Sequence, residues 1–569
     1  MFGKKLSLKP DFDFKKRLRS QMESKKENCI CLCENSATEY SIIVAKNTAQ
    51  ETLSCAEEMQ KILKKMTGCL FPIKNDSCAP QKCEIVIGNT NRGIKESTGE
   101  NGFVITCDGE RVILYGYDEI TTVYAVYTFL EEHLGCMWIT SEEDFIPNLP
   151  TIRIAPVNKA YIPSMKWRCI YSYETIFTPW YKKLRLNGIG DVNGKRTETL
   201  GWGTWCHTEW KYVPPNEFYK DHPEYYAKKG DKIGHIRPGH EALLCLSNPE
   251  VYNIVRDRLA KDIAEHPECK YWDFSVMDSW SRQKGCTCKK CREANEREGS
   301  GMGTMLPFIN KLASEFPDKI ISTLAYHYTI KPPKTLKAEK NVAIKLCAMP
   351  GSQAATYLNG GTKGADEFKK YVEEWKNVCD NIIIWDYVVN FKHLILPFPN
   401  FSVQQDNQKF YEQNNVSGIF HQGSREKSDE MADMRAYLLA KLMWNGSSFD
   451  TENFLNRYIA ACYGKAGKYI AEYMMKCSEA LYSSQKELGI YDFPIFHSMD
   501  YLSKKNIEEY LICFEKAEKE AENETILNRI KKLKMPVLYA KMLESSRDLK
   551  GKEKAADEFF ETARKCGFD

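Results

Sequence analysis

Tyr271-Trp272-Asp273-Phe274-Ser275-Val276-Met277-Asp278, with Cys286-Thr287-Cys288-Lys289-Lys290-Cys291 soon after it, is the stretch on which the reading of the whole chain turns. It is a short, aromatic-rich, mostly apolar run ending on a carboxylate, which is the pattern of a buried strand. Strand alternation places Trp272, Phe274, Val276 and Asp278 on one face and Tyr271, Asp273 and Ser275 on the other. Parallel α/β folds put their chemistry at the C-terminal ends of strands, where loops begin. Asp278 stands at such an end, whereas Asp273 is mid-strand and reads as structural.

Working outward, eight strand candidates begin near Lys166, Gly188, Ala242, Tyr271, Lys319, Val342, Asn381 and Ser417. Helical patterns at 251–264, 302–316, 366–379 and 429–443 separate several of them. Eight strand–helix units predict an α/β fold, a (β/α)8 TIM barrel over residues 161–448. Before it, strands at 40–45, 84–88, 102–106 and 111–115 with helices at 51–66 and 121–134 predict a small α+β domain over 34–160. After Asn445-Gly446 the period is purely helical: Tyr469, Tyr473, Met474, Cys477 and Leu481 form one stripe, and Ile526, Ile530, Leu533 and Leu538 another. Residues 449–569 are therefore expected to be a helical C-terminal domain packed on the barrel, and 1–33 a polar leader with little structure.

With 569 residues the chain exceeds a single ordinary core. Its 80 basic and 77 acidic residues nearly cancel and form no long single-sign block, which argues against nucleic acid or an acidic membrane surface as partner. No run approaches the roughly 18 apolar residues of a membrane span. Met1 to Pro10 lack an apolar signal core and the 22 cysteines are scattered, so the chain as written is expected in a reducing cytoplasm with most thiols free. P-loop, dinucleotide, H-E-x-x-H and G-x-S-x-G motifs are absent, which removes kinase, dehydrogenase and serine-hydrolase chemistry.

Asp278 is the first candidate for a catalytic carboxylate; the alternative is an Asp that caps the following loop. Glu174, Glu209 and Asp386 are the other carboxylates near predicted strand ends. Asp386 closes the apolar run Ile382-Ile-Ile-Trp-Asp-Tyr387, and a partly buried carboxyl beside an indole holds its proton as a general acid must. Arg168 suits a clamp on sugar hydroxyls or, equally, a barrel-floor salt bridge. His207, Tyr326, Trp385, Tyr387 and Gln422 fall near strand ends and suit polar or stacking contacts.

Cys286, Cys288 and Cys291 are three thiols in one loop, one short of a tetrahedral zinc site. Cys245, ending the preceding predicted strand, would complete it. A closed structural zinc and four reduced thiols are the two readings, and catalysis itself calls for no cofactor.

The N-terminal unit, with Ala56-Glu-Glu-Met-Gln60, Gly102-Phe-Val-Ile105 and Tyr124 through Trp138, is similar to the small domain that precedes the barrel in α-glucuronidases and β-hexosaminidases. Leu186-Asn187-Gly188, His207-Thr208, His222-Pro-Glu-Tyr225, Leu244 through Glu250, the Asp278 strand with its cysteines, Trp385-Asp-Tyr387, Pro397 through Asn400 and Tyr437 through Trp444 together resemble the bacterial domain-of-unknown-function 4838 family. That group, through glycoside hydrolase family 163, includes endo-β-N-acetylglucosaminidases acting on complex N-glycans. The resemblance implies hydrolysis of an N-acetylhexosamine-containing glycan, with an oligosaccharide as partner, and adds Asn187 to the expected substrate contacts. It also implies assistance by the substrate's own acetamide. Hexosaminidases carry adjacent Asp-Glu at this strand, whereas Ser279 and Trp280 follow Asp278 here, so the proton donor must come from elsewhere. An exo-acting, α-glucuronidase-like enzyme and a non-catalytic carbohydrate-binding protein are the alternatives.

Overall fold

The computed structural model describes residues 6–24, 28–92, 99–192, 195–197, 199–230, 232–233, 242–278, 285–427, 430–544 and 548–566. At its centre is a six-stranded, all-parallel sheet. In spatial order its strands are Tyr271–Asp273, Ile320–Ala325, Val342–Cys347, Ile382–Tyr387, Val416–Gln422 and Trp167–Tyr171. The last strand in the chain pairs with the first, so the sheet curls toward a barrel. These strands are largely buried on both sides, as a parallel sheet covered by helices demands. Val342–Cys347, for example, is buried at every residue.

Among the described residues, six of the expected eight strands form the sheet. Gly190–Val192 pairs instead with Lys195–Thr197 in an antiparallel hairpin, and Leu244 makes only an isolated antiparallel bridge with Tyr226. The gap between the first strand and Tyr271 is bridged by single bonds. Gly188 donates to Arg168 O, Leu200 to Gly188 O and Gly203 to Tyr271 O.

Side chains explain why no regular ladder forms there. Thr204 Oγ1 accepts from Asp273 N (2.8 Å) and donates to Asp273 O (3.0 Å), and Thr208 Oγ1 accepts from Ser275 N (3.1 Å). Threonine hydroxyls thus take bonds that a neighbouring strand would otherwise supply. Gly203 also has to be glycine, because a Cβ would lie 2.3 Å from the Trp272 ring.

Ahead of this sheet lies a second six-stranded one, ordered Ile73–Asn75, Ser41–Val44, Glu84–Ile87, Arg111–Gly116, Phe103–Asp108 and Asn158–Tyr161. Its helices Gln50–Thr67 and Glu119–Thr128 match the predicted positions within a few residues. This unit sits against Trp444, which stacks on Phe103 (5.4 Å) and takes Tyr124 edge-on (5.9 Å).

The first 33 residues are not a structureless leader. Phe14–Glu23 is a helix burying Phe14 and Met22, and Ile30–Cys33 pairs with Ile152–Ile154. Phe14, Leu18 and Met22 recur every four residues, a helical stripe that the many neighbouring charges concealed.

The C-terminal region is helical: Thr451–Tyr463, Gly467–Ser484, Lys504–Lys519, Glu524–Leu543 and Leu549–Cys566. The Tyr473 stripe packs on Tyr510 and Phe514 at 5.3 and 4.9 Å. Among the described residues, no helix is long and apolar enough to cross a membrane.

Candidate active site

The interior-facing positions of the central sheet follow from its register. Asp273 pairs with Ser322, Leu324 with Lys345, Cys347 with Trp385, Trp385 with Phe420 and Tyr387 with Gln422. Low in the interior, Lys345 Nζ lies 2.8 Å from Asp273 Oδ2, both side chains being fully buried. Ser275, Ser322 and Thr208 hydroxyls also donate to that carboxylate, at 2.6, 3.0 and 3.2 Å. The ammonium lies over the rings of Trp205 (4.3 Å) and Trp202 (4.7 Å) and donates to Trp205 O. Asp273 is structural, as expected, but it faces the interior rather than away from the side that Asp278 serves. The strand ends at Asp273, so alternation no longer holds over the five residues to Asp278.

Above this pair, at the C-terminal ends of the strands, is a cavity of about 130 Å³. It is lined by His207, Asp278, Leu324, Tyr326, Cys347, Trp385, Tyr387, Phe391, Gln422 and Tyr491. Asp278 is the one carboxylate among these described residues. It is exposed, and Tyr326 Oη donates to its Oδ1 at 3.0 Å. Burial first, and then the Asp278 charge, push the Tyr326 phenol above its ordinary range, so it remains a neutral donor. Burial likewise pushes the Tyr387 phenol and the Cys347 thiol up. The lining therefore presents one carboxylate against neutral hydrogen-bonding groups and aromatic walls.

Each polar group here is held by another. Trp385 Nε1 donates to Gln422 Oε1 at 2.7 Å, and its indole stacks on Trp205 at 5.4 Å. His207 has a left-handed backbone (φ 54°), a conformation that costs a non-glycine residue roughly 1–3 kcal/mol. Its N–H donates to Ser275 Oγ (2.9 Å), and its Nδ1–H must donate to Val276 O (2.6 Å), since a carbonyl only accepts. That tautomer leaves Nε2 as the remaining ring nitrogen.

Five of the seven expected substrate contacts thus converge with Asp278: His207, Tyr326, Trp385, Tyr387 and Gln422. Three other calls are corrected. Asp386 does not reach the cavity. It lies between Trp385 and Tyr387, which both face in, so it faces the helices and is buried. There its Oδ2 meets His421 Nδ1 at 3.2 Å, while Oδ1 accepts from Tyr387 N at 2.9 Å and faces Gln353 Nε2 at 3.5 Å. Arg168 is near the N-terminal end of its strand, fully buried on the outer side. It donates to Arg185 O (2.9 Å) and Met165 O (2.8 Å) and stacks over Trp444 (4.7 Å), and burial lowers its guanidinium to about 10. Asn187 accepts from Arg168 N (2.8 Å) and donates to Asn101 Oδ1 (2.8 Å), which ties the central sheet to the N-terminal sheet. Among the other carboxylates, Glu209 is fully buried, and Glu174 lines a separate cavity of about 470 Å³ with Glu430 and Arg529. Ser279 and Trp280 lie outside the described residues.

Phe391 and Tyr491 were not anticipated. Phe391 N donates to Ile490 O (2.8 Å), and Asn390 Nδ2 donates to Asp492 O (2.8 Å), so the helical region delivers Tyr491 to the mouth of the cavity. Only the excess of aromatics around 491–496 hinted at this.

Cys245, Cys286, Cys288 and Cys291 come together as expected, with their Sγ atoms all within 4.8 Å of one another.

Among solved structures, the chain resembles a family GH115 4-O-methyl-α-glucuronidase with specificity for decorated arabinogalactans. The TM-score is 0.57 at 13% identity, covering 94% of this chain and 77% of that one. A Flavobacterium johnsoniae chitobiase gives a TM-score of 0.45 at 12% identity, covering 95% and 97% of the two chains. A Streptomyces plicatus β-hexosaminidase gives 0.42 at 12%, covering 82% and 97%. At such identities the first likeness speaks for the fold, and the other two carry no argument. No curated protein matches the chain. The model of the family described as "Domain of unknown function (DUF4838)" matches residues 138–475, more than half the chain and all of the central sheet, and the chain belongs to that family.

Proposed function

We propose that the chain is a glycoside hydrolase acting on an N-acetylhexosamine-containing glycan, of the endo-β-N-acetylglucosaminidase type, with Asp278 as its catalytic carboxylate. The observation that carries the reading is the cavity at the strand ends, where a carboxylate oriented by Tyr326 stands among Trp385, Tyr387, Phe391 and Tyr491. Flat rings cover the apolar face of a pyranose, and a carboxylate is an acceptor for an N–H or O–H of the sugar. At about 130 Å³ the space is smaller than the ~300–1,000 Å³ of drug-sized pockets, which fits a single sugar ring gripped at the mouth.

With one carboxylate in the described lining, substrate assistance is the economical chemistry. The acetamide oxygen attacks the anomeric carbon as Asp278 takes the acetamide N–H proton; the glycosidic C–O bond breaks with its electron pair on the leaving oxygen, which takes its proton from a solvent water molecule. Water then opens the cyclic intermediate. A non-catalytic sugar-binding role draws on the same single carboxylate. The exo-acting, uronic-acid reading draws on the fold likeness to the GH115 enzyme.

Glycan release followed by mass spectrometry separates the three. Wild type and Asp278→Asn are compared on complex N-glycopeptides and on nitrophenyl glycosides that include uronides. The expected result is release of intact glycan by wild type and a loss of about 10²–10⁴-fold in the variant. Cleavage of uronides alone moves the assignment to the exo-enzyme. Sugar binding by both forms without turnover overturns catalysis.

A further inference from the structure

We propose that Cys245, Cys286, Cys288 and Cys291 hold one zinc ion in a closed four-thiolate site that is structural. The inference stands apart from the glycosidase reading. Its first support is metric. Cys245 Sγ lies 3.7 Å from Cys288 Sγ and 4.0 Å from Cys291 Sγ, and all four sulfurs fall within 4.8 Å of one another. A tetrahedron with zinc–sulfur bonds of about 2.3 Å has sulfur–sulfur edges of about 3.8 Å. A disulfide requires roughly 2.05 Å, and all four cysteines are unbonded thiols.

The second support is that three separate pieces of chain converge on this point and are fixed there by their backbones. Cys245 N donates to Tyr225 O (2.8 Å), and Thr287 N donates to Lys228 O (2.8 Å). Lys228 N donates to Cys286 Sγ (3.3 Å), and Ser247 Oγ lies 3.0 Å from Cys291 Sγ. Cys288 immediately precedes the ten-residue helix Lys289–Glu298, and Cys291 lies in its first turn. Backbone N–H groups and the positive end of a helix dipole favour thiolates over thiols, and the thiolate is the form that binds metal.

Four protein thiolates complete the coordination of zinc and leave no position for water or substrate, so the ion does not take part in hydrolysis. It instead pins Tyr225–Lys228, the Cys245 turn and the helix that follows the Asp278 segment. Cys286 is eight residues beyond Asp278. This is a staple at the point where, among the described residues, the sheet has no regular strand between Trp167 and Tyr271.

The test uses the full chain, purified under reducing conditions without chelator. Elemental analysis after gel filtration is expected to find one zinc per chain, released by a mercurial thiol reagent. Exchange with cobalt(II) is expected to produce the visible bands of a tetrahedral site and thiolate-to-cobalt charge transfer in the near ultraviolet. Cys288→Ser and Cys291→Ser are expected to lose stoichiometric metal, while Cys31→Ser, at the exposed N-terminal strand, keeps it. If the cluster variants fail to fold, the wild-type stoichiometry and cobalt spectrum decide the matter alone. Stoichiometric iron, a disulfide within the cluster, or four freely titrating thiols with no metal each overturn the proposal.

Discussion

Removing the cation from the inner face of the central sheet gives a sharp test of how the site is supported. Lys345 and Asp273 are both fully buried, and their charged atoms lie 2.8 Å apart. In Lys345→Met the stem is retained and the ammonium is lost, so Asp273 keeps its donors from Ser275, Ser322 and Thr208 but no longer faces that cation. Breaking a buried pair from one side costs about 3–5 kcal/mol, because a charge stays behind without compensation. At roughly 2–4 °C per kcal/mol for a domain of this size, the transition of the central sheet in scanning calorimetry should fall by about 6–20 °C.

Lys345→Met with Asp273→Asn removes the stranded charge and keeps an acceptor oxygen for Ser275 and Thr208, while the new amide N–H can donate to Ser322 Oγ. This double variant should recover more than half of the loss. A single variant melting within about 2 °C of wild type would refute the reasoning, and so would a double variant that loses the sum of the two single changes.

Three further expectations follow from the same geometry. Asp386→Asn should leave turnover within about threefold of wild type, the scale of ~0.7 kcal/mol, while lowering thermal stability, because Asp386 faces His421 and Gln353 and not the cavity; a collapse of kcat with unchanged melting would reverse its placement. Tyr491 is 44% exposed, so Tyr491→Ala should raise KM about 2- to 10-fold, from a ring contact of roughly 0.5–1.5 kcal/mol, with little change in melting; an unchanged KM for every substrate cleaved removes Tyr491 from the site. Burial holds the Glu209 carboxyl well above its usual 4.5, so the folded state keeps a proton that the unfolded chain releases. That contribution is complete below pH 4.5 and is lost as pH rises through the folded value, so the melting advantage of Glu209→Gln over wild type should grow with pH; a difference that stays constant across a pH series counts against it.

Much of the site was legible because it follows from local rules. Val342–Cys347 and Ile382–Tyr387 read as buried strands from continuous apolar runs, and polar or aromatic residues at strand ends were expected to meet at one mouth. His207, Tyr326, Trp385, Tyr387 and Gln422 do meet there with Asp278. The placement of Asp386 was legible too: Trp385 and Tyr387 on one face exclude the residue between them. Arg168 was open to the same argument, since its neighbours Trp167 and Cys169 share the other face of the first strand.

By itself, then, the sequence determined the parallel strands, the helices between them, the family and the cysteine cluster, because hydrophobic period and motif spacing are properties of neighbouring residues. Only the tertiary structure decided which strands form a ladder. Thr204 and Thr208 cap the Tyr271 segment with side-chain hydroxyls, and no period records that substitution. It also decided that Tyr491 lines the mouth, through a bond from Phe391 N to Ile490 O across 99 residues. Such a contact depends on how two sequence-distant parts of the chain pack on each other, and the local pattern of either part does not contain that information.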